Sequence, residues 1–305
     1  MKNILNYFYN FNLLDVYNID NKYYFNFNNN SYIFIKLDRP VEDIKPIYDL
    51  YIKLKEQNIL TNDIIVNKDN QFLTMVNNDY YVLIKDNSKK GFIDLNDIFY
   101  IQNNTMNIVY DKKLYRNNWI KMWCAKIDYY ENQMNNFSKK YPLLYNSIDY
   151  YIGLGENAIS YLVNNKINTY NLILSHRRLG KDTNSFDFYN PINFIVDSKV
   201  RDFSEYVKSL FFNNNITGDI FNRYIDYMNY SKEEYILLIA RLLFPTYYFD
   251  LYDDIINNNK DESIIKNVLD KNNDYINFLK NTFYYIIYVK RINIPSIEWI
   301  IKFQN

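Results

Sequence analysis

Cysteine and histidine are almost missing from this sequence, and their scarcity limits the kinds of site that it can build. Among 305 residues there is one cysteine, Cys124, and one histidine, His176. A single cysteine cannot form a disulfide within the chain, and it leaves no cysteine-based zinc site. A metal site would therefore have to be built from oxygen ligands.

A net charge and long apolar runs are missing as well. Lysine plus arginine and aspartate plus glutamate both number 35, and this balance argues against a nucleic-acid binder or a basic membrane-surface protein. The most apolar stretches reach about ten residues, against roughly 20 for a membrane span. The N-terminal twenty residues contain no signal-like apolar run and no small-residue cleavage site. We expect a soluble, intracellular protein without a transmembrane segment.

The first hundred residues have the pattern of a small sheet. Short runs rich in aromatic and β-branched residues alternate with Asn and Asp turns, which is typical of strands. These runs are KYYFNF, SYIFIKL, QFLTMV and YYVLIK. One helix, with apolar residues at helical spacing from Ile47 to about Gln57, interrupts them.

After Gly91 the apolar residues recur three or four apart, which favours long helices. One of these has a capping box formed by Ser231 and Glu234, and Pro245 ends it. We therefore predict an α+β fold with a small antiparallel-sheet lobe, residues 1–100, and a mainly helical lobe, residues 101–305.

A strand–loop–strand pattern lies within the helical half. An apolar run leads to His176, and a second apolar run delivers Asp197 at its end, with Asn184 in the charged loop between them. This is the order of parts in a phosphotransfer catalytic loop, where an aspartate two residues after the histidine accepts the substrate proton. Here that residue is Arg178. Arginine has no acceptor and stays charged, so Arg178 cannot act as the base.

Four segments, in the expected order, carry a resemblance to a known family: YYIGLGENAISYL, LSHRRL, VDSKVRDFSEYVK and RLLFPTYYFD. They resemble the spore-coat kinase-like proteins of endospore-forming bacteria, of the CotS and YutH type. The resemblance covers nearly the whole chain. It implies a bilobal protein-kinase-like fold, as in the aminoglycoside phosphotransferases.

The resemblance also implies positions for a nucleotide site. The nucleotide-positioning lysine would be Lys36, on the strand before the lone helix, and Glu56 on that helix would be its ion-pair partner. Lys85 is a rival for the same role, and the alternative is that Lys36 and Glu56 are simply solvated. The phosphate-binding hairpin would need glycines, yet the first hairpin turn is predicted to be NFNNNSY and the only glycine before residue 153 is Gly91.

The magnesium ligands implied by the resemblance are Asn184 and Asp197, with Thr183 as an alternative to Asn184. Their oxygens suit Mg²⁺, a hard cation. The competing interpretation makes Asp197 a residue at the start of the helix near Arg201, where a carboxylate is favoured in any case.

The resemblance gives His176 a bracing role in the loop rather than a chemical one, so no catalytic residue is predicted. For Arg178 two roles remain open. It could pair with an aspartate, Asp197 being the preferred partner, in a network that locks the loop. Alternatively, it could line a pocket for a small anionic ligand.

These features predict a catalytically inactive, kinase-like protein of sporulation that acts in coat assembly or ligand binding. We expect other spore-coat proteins as partners, no nucleic acid, and no cofactor. We expect synthesis in the mother-cell cytoplasm and deposition on the spore coat. The alternative is an active small-molecule phosphotransferase that uses Mg-ATP with displaced catalytic residues.

Overall fold

The chain packs as two compact units. The computed structural model describes residues 1–89, 91–134, 140–167, 171–213 and 216–303. The first unit comprises Met1–Arg116 and Ile173–Asp197, and the second comprises Asn117–Leu172 and Ser198–Asn305. The strand–loop–strand segment therefore packs with the N-terminal residues, while the lobe boundary at residues 100 and 101 stays a prediction. In the described part of the chain, no helix is both long enough and apolar enough to cross a membrane.

The predicted α+β class, with a small antiparallel sheet, is confirmed. Strands of the first unit form one antiparallel sheet in the order β1-β2-β3-β6-β4, with β5 also paired to β6, and β7 pairs with β8 separately. The strands are β1 (Tyr17–Ile19), β2 (Lys22–Phe27), β3 (Asn30–Lys36), β4 (Asp63–Ile65), β5 (Thr74–Val76), β6 (Asp79–Lys85), β7 (Leu172–His176) and β8 (Phe194–Ser198).

The tight hairpins of the sheet turn on asparagine and aspartate. The two-residue turns are Asp20–Asn21, Asn28–Asn29 and Asn77–Asn78, and all six residues have positive φ. Two left-handed residues in sequence suit the twist of a hairpin, and Asn and Asp tolerate this region better than other non-glycine residues. The prediction that NFNNNSY forms the first hairpin turn is wrong. The first hairpin joins β1 to β2 through Asp20–Asn21, because the short strand β1 precedes the predicted ones.

The two faces of the sheet have different partners. On the outer face, aromatic side chains such as Phe25 and Phe34 pack with Leu5 and Tyr9 of an N-terminal helix that the sequence analysis did not predict. Side chains alternate along a strand, so Tyr24 of β2 and Ile33 of β3 lie on the opposite, inner face. Cross-strand pairing aligns five inner-face residues in one row: Tyr17, Tyr24, Ile33, Ile84 and Ile64.

Helices occur in both units and make up most of the second. The helices of the described residues are α1 (Lys2–Tyr9), α2 (Ile44–Glu56), α3 (Leu95–Thr105), α4 (Trp119–Met134), α5 (Pro142–Asn165), α6 (Ser185–Phe188), α7 (Val200–Phe212), α8 (Gly218–Tyr227), α9 (Lys232–Leu243), α10 (Thr246–Asn257), α11 (Lys266–Asp270), α12 (Asn272–Tyr284) and α13 (Glu298–Ile301). The helix predicted from Ile47 is α2. The predicted capping box of Ser231 and Glu234 opens α9, which ends before Pro245.

One glycine of the second unit, Gly155, lies against a buried side chain of a neighbouring helix. A Cβ at Gly155 of α5 would lie 2.5 Å from Ile127 Cδ1 of α4. Core side chains sit at near-crystalline density, so Ile127 would have to move to admit it. Gly155 therefore allows α4 and α5 to approach each other.

Candidate functional site

The segment that resembles a catalytic loop runs from β7 through α6 to β8. His176, at the end of β7, is buried, and its Nε2 lies 2.9 Å from the carbonyl oxygen of Phe188. The His176 ring also stacks on the Phe188 ring, with centroids 4.1 Å apart. This histidine therefore joins the end of β7 to α6 by a hydrogen bond and a ring contact.

Hydrogen bonds hold this segment to the rest of the first unit. Asn62, fully buried before β4, donates its backbone N–H to the carbonyl of Tyr189 and its side-chain amide to that of Phe186, both at 2.9 Å. The buried Arg39 guanidinium donates to the carbonyls of Ile192 (2.7 Å) and Phe194 (3.0 Å). Buried backbone acceptors are thereby satisfied, which fixes α6 and the start of β8.

A cavity of about 410 Å³ lies in the first unit, between the inner face of the sheet and α6. We call it the sheet cavity. Its lining includes Lys22, Tyr24, Ile33, Asp86, Asn184 and Phe186. Its volume falls within the range of small-ligand sites. Among the predicted site residues, Asn184 lines it.

The lysine in the sheet cavity is already paired. Lys22 Nζ lies 3.2 Å from Asp187 Oδ1, and both side chains are about 31% exposed. Asn184 caps α6, because its Oδ1 accepts the backbone N–H of Asp187 at 2.7 Å while its Nδ2 donates to Asp187 Oδ2 at 2.9 Å. Lys22, Asp187 and Asn184 therefore form one connected group whose charges cancel.

The structure does not bring Lys36 and Glu56 together. Lys36 shares the outer-face alternation of Phe34, and its Nζ pairs with Asp79 at 2.7 Å. This hydrogen bond raises the pKa of the Lys36 ammonium. Glu56 is exposed at the end of α2. The inner-face position beside Lys36 holds an isoleucine, Ile35. The nucleotide-binding role of Lys36 and Glu56 stays a prediction.

Lys85, the rival of Lys36, also lies on the outer face. It pairs directly with Tyr32 across the sheet, and Tyr32 packs against the outer-face core. Among the described strands, the lysine that lines the sheet cavity is Lys22, which the sequence analysis missed. The alternation of KYYFNF contained the necessary signal, since Lys22, Tyr24 and Asn26 fall on one face.

The proposed metal ligands, Asn184 and Asp197, occupy different environments. Asn184 lines the sheet cavity and commits its amide to the cap of α6. Asp197 lies within β8 and is fully buried. The described residues contain no group of three or more His, Cys, Asp or Glu side chains that could hold a metal ion. The metal role of these two residues stays a prediction.

Arg178 is exposed on the loop after β7, and it forms no hydrogen bond or ion pair with another described residue. The candidate partners have other contacts: Asp182 pairs with Lys181 at 2.6 Å, and Asp187 pairs with Lys22. The predicted Arg178–aspartate network is therefore wrong among the described residues. A small anionic ligand for Arg178 stays a prediction.

The two-part arrangement of sheet and helices, with the segment around His176, is a kinase-like fold. An aminoglycoside phosphotransferase from Alicyclobacillus acidocaldarius superposes with a TM-score of 0.64 at 10% identity, over 93% of each chain. Spectinomycin phosphotransferase APH(9)-Ia, solved with ADP and spectinomycin, gives a TM-score of 0.57 at 12% identity, over 92% of this chain and 96% of that one. These likenesses confirm the predicted kinase-like fold.

The family follows from the sequence itself. The family model described as "Spore coat putative kinase YutH" matches residues 2–282, and this chain belongs to that family. The endospore coat-associated protein YutH of Bacillus subtilis (strain 168) is 28% identical over 159 residues. That match spans 44% of this chain and 45% of the relative, less than half the length of either. The resemblance seen in the sequence is confirmed.

Proposed function

We propose that this protein is a non-catalytic, kinase-like component of the spore coat, in which the sheet cavity has lost the ability to bind Mg-ATP productively. The observation that carries the proposal is the arrangement of cations at this cavity. A nucleoside triphosphate needs a lysine placed at its phosphates, and in protein kinases this lysine comes from the strand before the helix of the small lobe. Here Ile35 occupies the inner-face position beside Lys36, and Lys22, the lysine that lines the cavity, lies on β2 and pairs with Asp187 of the loop segment.

The first hairpin supports the same conclusion. A phosphate-binding loop presents several free backbone N–H groups without side-chain obstruction. The β1–β2 connection is only two residues long, Asp20 and Asn21, and one of them is acidic. A turn of this length cannot wrap a phosphate group, and the Asp20 carboxylate would repel it.

The segment after β6 offers little for recognition of an adenine edge. A base is read by hydrogen bonds from polar groups in its plane. The backbone N–H groups of Asp86, Asn87 and Ser88 donate to Ser31 O, Asn62 Oδ1 and Asp86 Oδ1, each at 2.9 Å. Three consecutive donors are thus committed to the protein.

The loop after β7 supports an inactive protein as well. Arg178 stands where the base is expected, and it cannot accept a proton. Asn184, the implied metal ligand, is engaged with Asp187. In the proposed role, neither Arg178 nor Asn184 serves phosphoryl transfer.

Membership of the spore-coat family supports a role at the coat. We infer that the protein is made in the mother cell and deposited on the forespore, and that its partners are other coat proteins. In such a role the kinase-like frame provides a binding surface rather than a catalyst.

The proposal is tested with the purified full chain and Mg-ATP. A ligand at 100 times its Kd adds about 2.7 kcal/mol to stability, so a real site would give a clear rise in the melting temperature. We expect no rise, and no ATP turnover with sugar, amino-sugar or protein acceptors, while an aminoglycoside phosphotransferase measured alongside shows both. Arg178→Asp alone restores nothing, because the cavity and the hairpin are unchanged.

One arrangement favours the alternative of an active enzyme with displaced residues. Lys22 and Asp187 meet beside the sheet cavity, where they could exchange their ion pair for a phosphate and a metal ion. ATP turnover by the wild type that Asp197→Ala or Asp187→Asn abolishes would establish this alternative and reject the non-catalytic role.

A further inference from the structure

The inner face of the sheet gives the cavity an aromatic floor. Tyr17 and Tyr24 lie directly opposite each other on β1 and β2, and Ile33 continues the same row. Phe186 of α6 also lines the cavity. Tyr17 is 63% exposed. The sheet cavity therefore offers two neighbouring tyrosines, with a third ring nearby, to a ligand that has an apolar face.

Polar side chains, including the Asp86 carboxylate, surround this floor. Asn26 and Ser31 face each other across the β2–β3 hairpin, where the Ser31 hydroxyl lies 2.9 Å from Asn26 Oδ1. Asp86 uses one carboxylate oxygen to accept from the backbone and the hydroxyl of Ser88. Among the described residues, its other oxygen and the Asn26 amide N–H groups have no hydrogen-bond partner, so they can serve a ligand as acceptor and donors.

We propose that the sheet cavity binds a neutral, hydroxyl-rich ring, that is, one sugar residue of a glycan. A sugar ring has an apolar C–H face that packs on aromatic side chains, and its hydroxyl groups both donate and accept hydrogen bonds. Carboxylate, carboxamide and hydroxyl side chains complement such groups, and the aromatic rings supply most of the buried apolar area. This inference rests on the proposed function, because a cavity that bound ATP would not be free for a glycan.

The same features disfavour other small ligands. An anionic ligand would have to displace Asp187 from Lys22, the cavity-lining lysine of the described sheet. A planar base would find the backbone donors of residues 86–88 already used. A hydroxylated ring needs neither a free cation nor these donors.

The test is a titration of the full chain. An array of immobilised neutral oligosaccharides built from glucose, galactose, mannose and N-acetylglucosamine is screened first, and the best soluble hit is then titrated calorimetrically. Tyr24→Ala should weaken binding about tenfold or more, which corresponds to about 1.4 kcal/mol. Tyr24→Phe should bind nearly as well as the wild type, since it keeps the ring.

Two further variants show whether a loss of binding is due to a folding defect. Asn26→Ala changes an exposed side chain of the rim and should also weaken binding, with an unchanged melting temperature. Tyr80→Ala, on β6, removes a tyrosine that does not line the sheet cavity, and it should leave binding unchanged.

The outcomes separate the two proposals. Binding of a neutral glycan that depends on Tyr24 and Asn26 supports the inference. Binding that survives both substitutions, or no glycan binding while ATP is also rejected, overturns the inference and leaves the non-catalytic role intact. Competition of Mg-ATP with the glycan, together with ATP turnover, overturns both.

Discussion

Two lysine–carboxylate pairs, one from each unit, differ in their surroundings. Lys22 and Asp187 of the first unit are 3.2 Å apart and about one-third exposed. Lys208 and Glu205 of the second unit are 2.9 Å apart, and the Lys208 side chain is 2% exposed. A partly exposed pair contributes little to stability and can be rearranged, whereas a pair with a buried lysine is costly to break. The pair beside the sheet cavity is therefore the one that a ligand can disturb.

The surroundings of Lys208 strengthen this difference. Its ammonium group donates to the carbonyl oxygens of Arg241 (2.9 Å) and Phe244 (3.3 Å) and to the Thr246 hydroxyl (2.6 Å). The first two acceptors lie at the C-terminal end of α9, where helical carbonyls lack intrahelical donors. Lys208 thus ties α7 to the end of α9.

The largest effect is expected from Lys208→Ala. It leaves Glu205, whose side chain is 19% exposed, without its lysine and removes the buried donor from the end of α9, so we expect a loss of about 3 kcal/mol in the free energy of unfolding. Urea denaturation measures it. Lys260→Ala, which breaks the exposed Lys260–Asp254 pair of the same unit, is the matched control and should cost less than about 1 kcal/mol. Equal losses in the two variants would abolish the contrast between buried and exposed pairs.

The second-largest effect is expected in the pH dependence of the free energy of unfolding. Burial by itself would raise the pKa of Glu205, but Lys208 and Arg241 outweigh it and hold this pKa below its ordinary value of 4.5. The unfolded chain therefore takes up the proton first, and the stabilisation is complete above about pH 4.5 and is lost as the pH falls through the folded-state pKa. Unfolding free energies should decline more steeply below pH 4.5 in the wild type than in Glu205→Gln. Parallel curves would remove Glu205 from the explanation.

A smaller effect is expected at the turn that precedes Lys22. Asn21 has φ of 60°, so Asn21→Ala should cost about 1 kcal/mol, because a side chain without a local hydrogen-bonding group is disfavoured there. Asn21→Gly should be close to neutral. Thermal melting of both variants tests this, with Asn18→Ala in the extended strand β1 as the control. A loss in Asn21→Gly as large as that in Asn21→Ala would contradict the conformational explanation.

The smallest effect is expected from Lys22→Met. An ion pair that is one-third exposed is worth no more than about 1 kcal/mol, and the cap of α6 uses the backbone N–H of Asp187, which the substitution leaves in place. A double-mutant cycle with Asp187→Asn measures the coupling between the side chains by urea denaturation. A coupling of several kcal/mol would mean that the pair is structural, like that of Lys208.

Sequence patterns predicted the second unit better than the inner face of the sheet. The capping box of Ser231 and Glu234 depends on local backbone hydrogen bonds, so its position in the sequence is sufficient. In the first unit, the helical periodicity that predicted α2 is a local signal of the same kind. The resemblance to the spore-coat family rested on contiguous segments of this kind, and it was confirmed.

The faces on which the sheet residues lie were harder to predict, because both faces of the sheet are covered. In SYIFIK, apolar residues occupy both alternations, so the sequence does not reveal whether Lys36 points to the core of α1 or to the cavity. Helix α1 was missed because its aromatic residues look like those of the strands. The short strand β1 shifted the predicted hairpin by one strand. Arg178 was correctly placed beyond β7, but its lack of a described partner depends on side-chain positions that spacing does not determine.

The asparagine turns have a consequence for the unfolded chain. Nine of the twelve described non-glycine residues with positive φ are asparagines, in a sequence with only five glycines. Glycine would reach these conformations with less strain, but it would also give the denatured chain more freedom to lose on folding. Each asparagine restricts the backbone of the denatured chain more than a glycine would. The hairpins therefore gain part of their stability from a denatured ensemble of lower entropy.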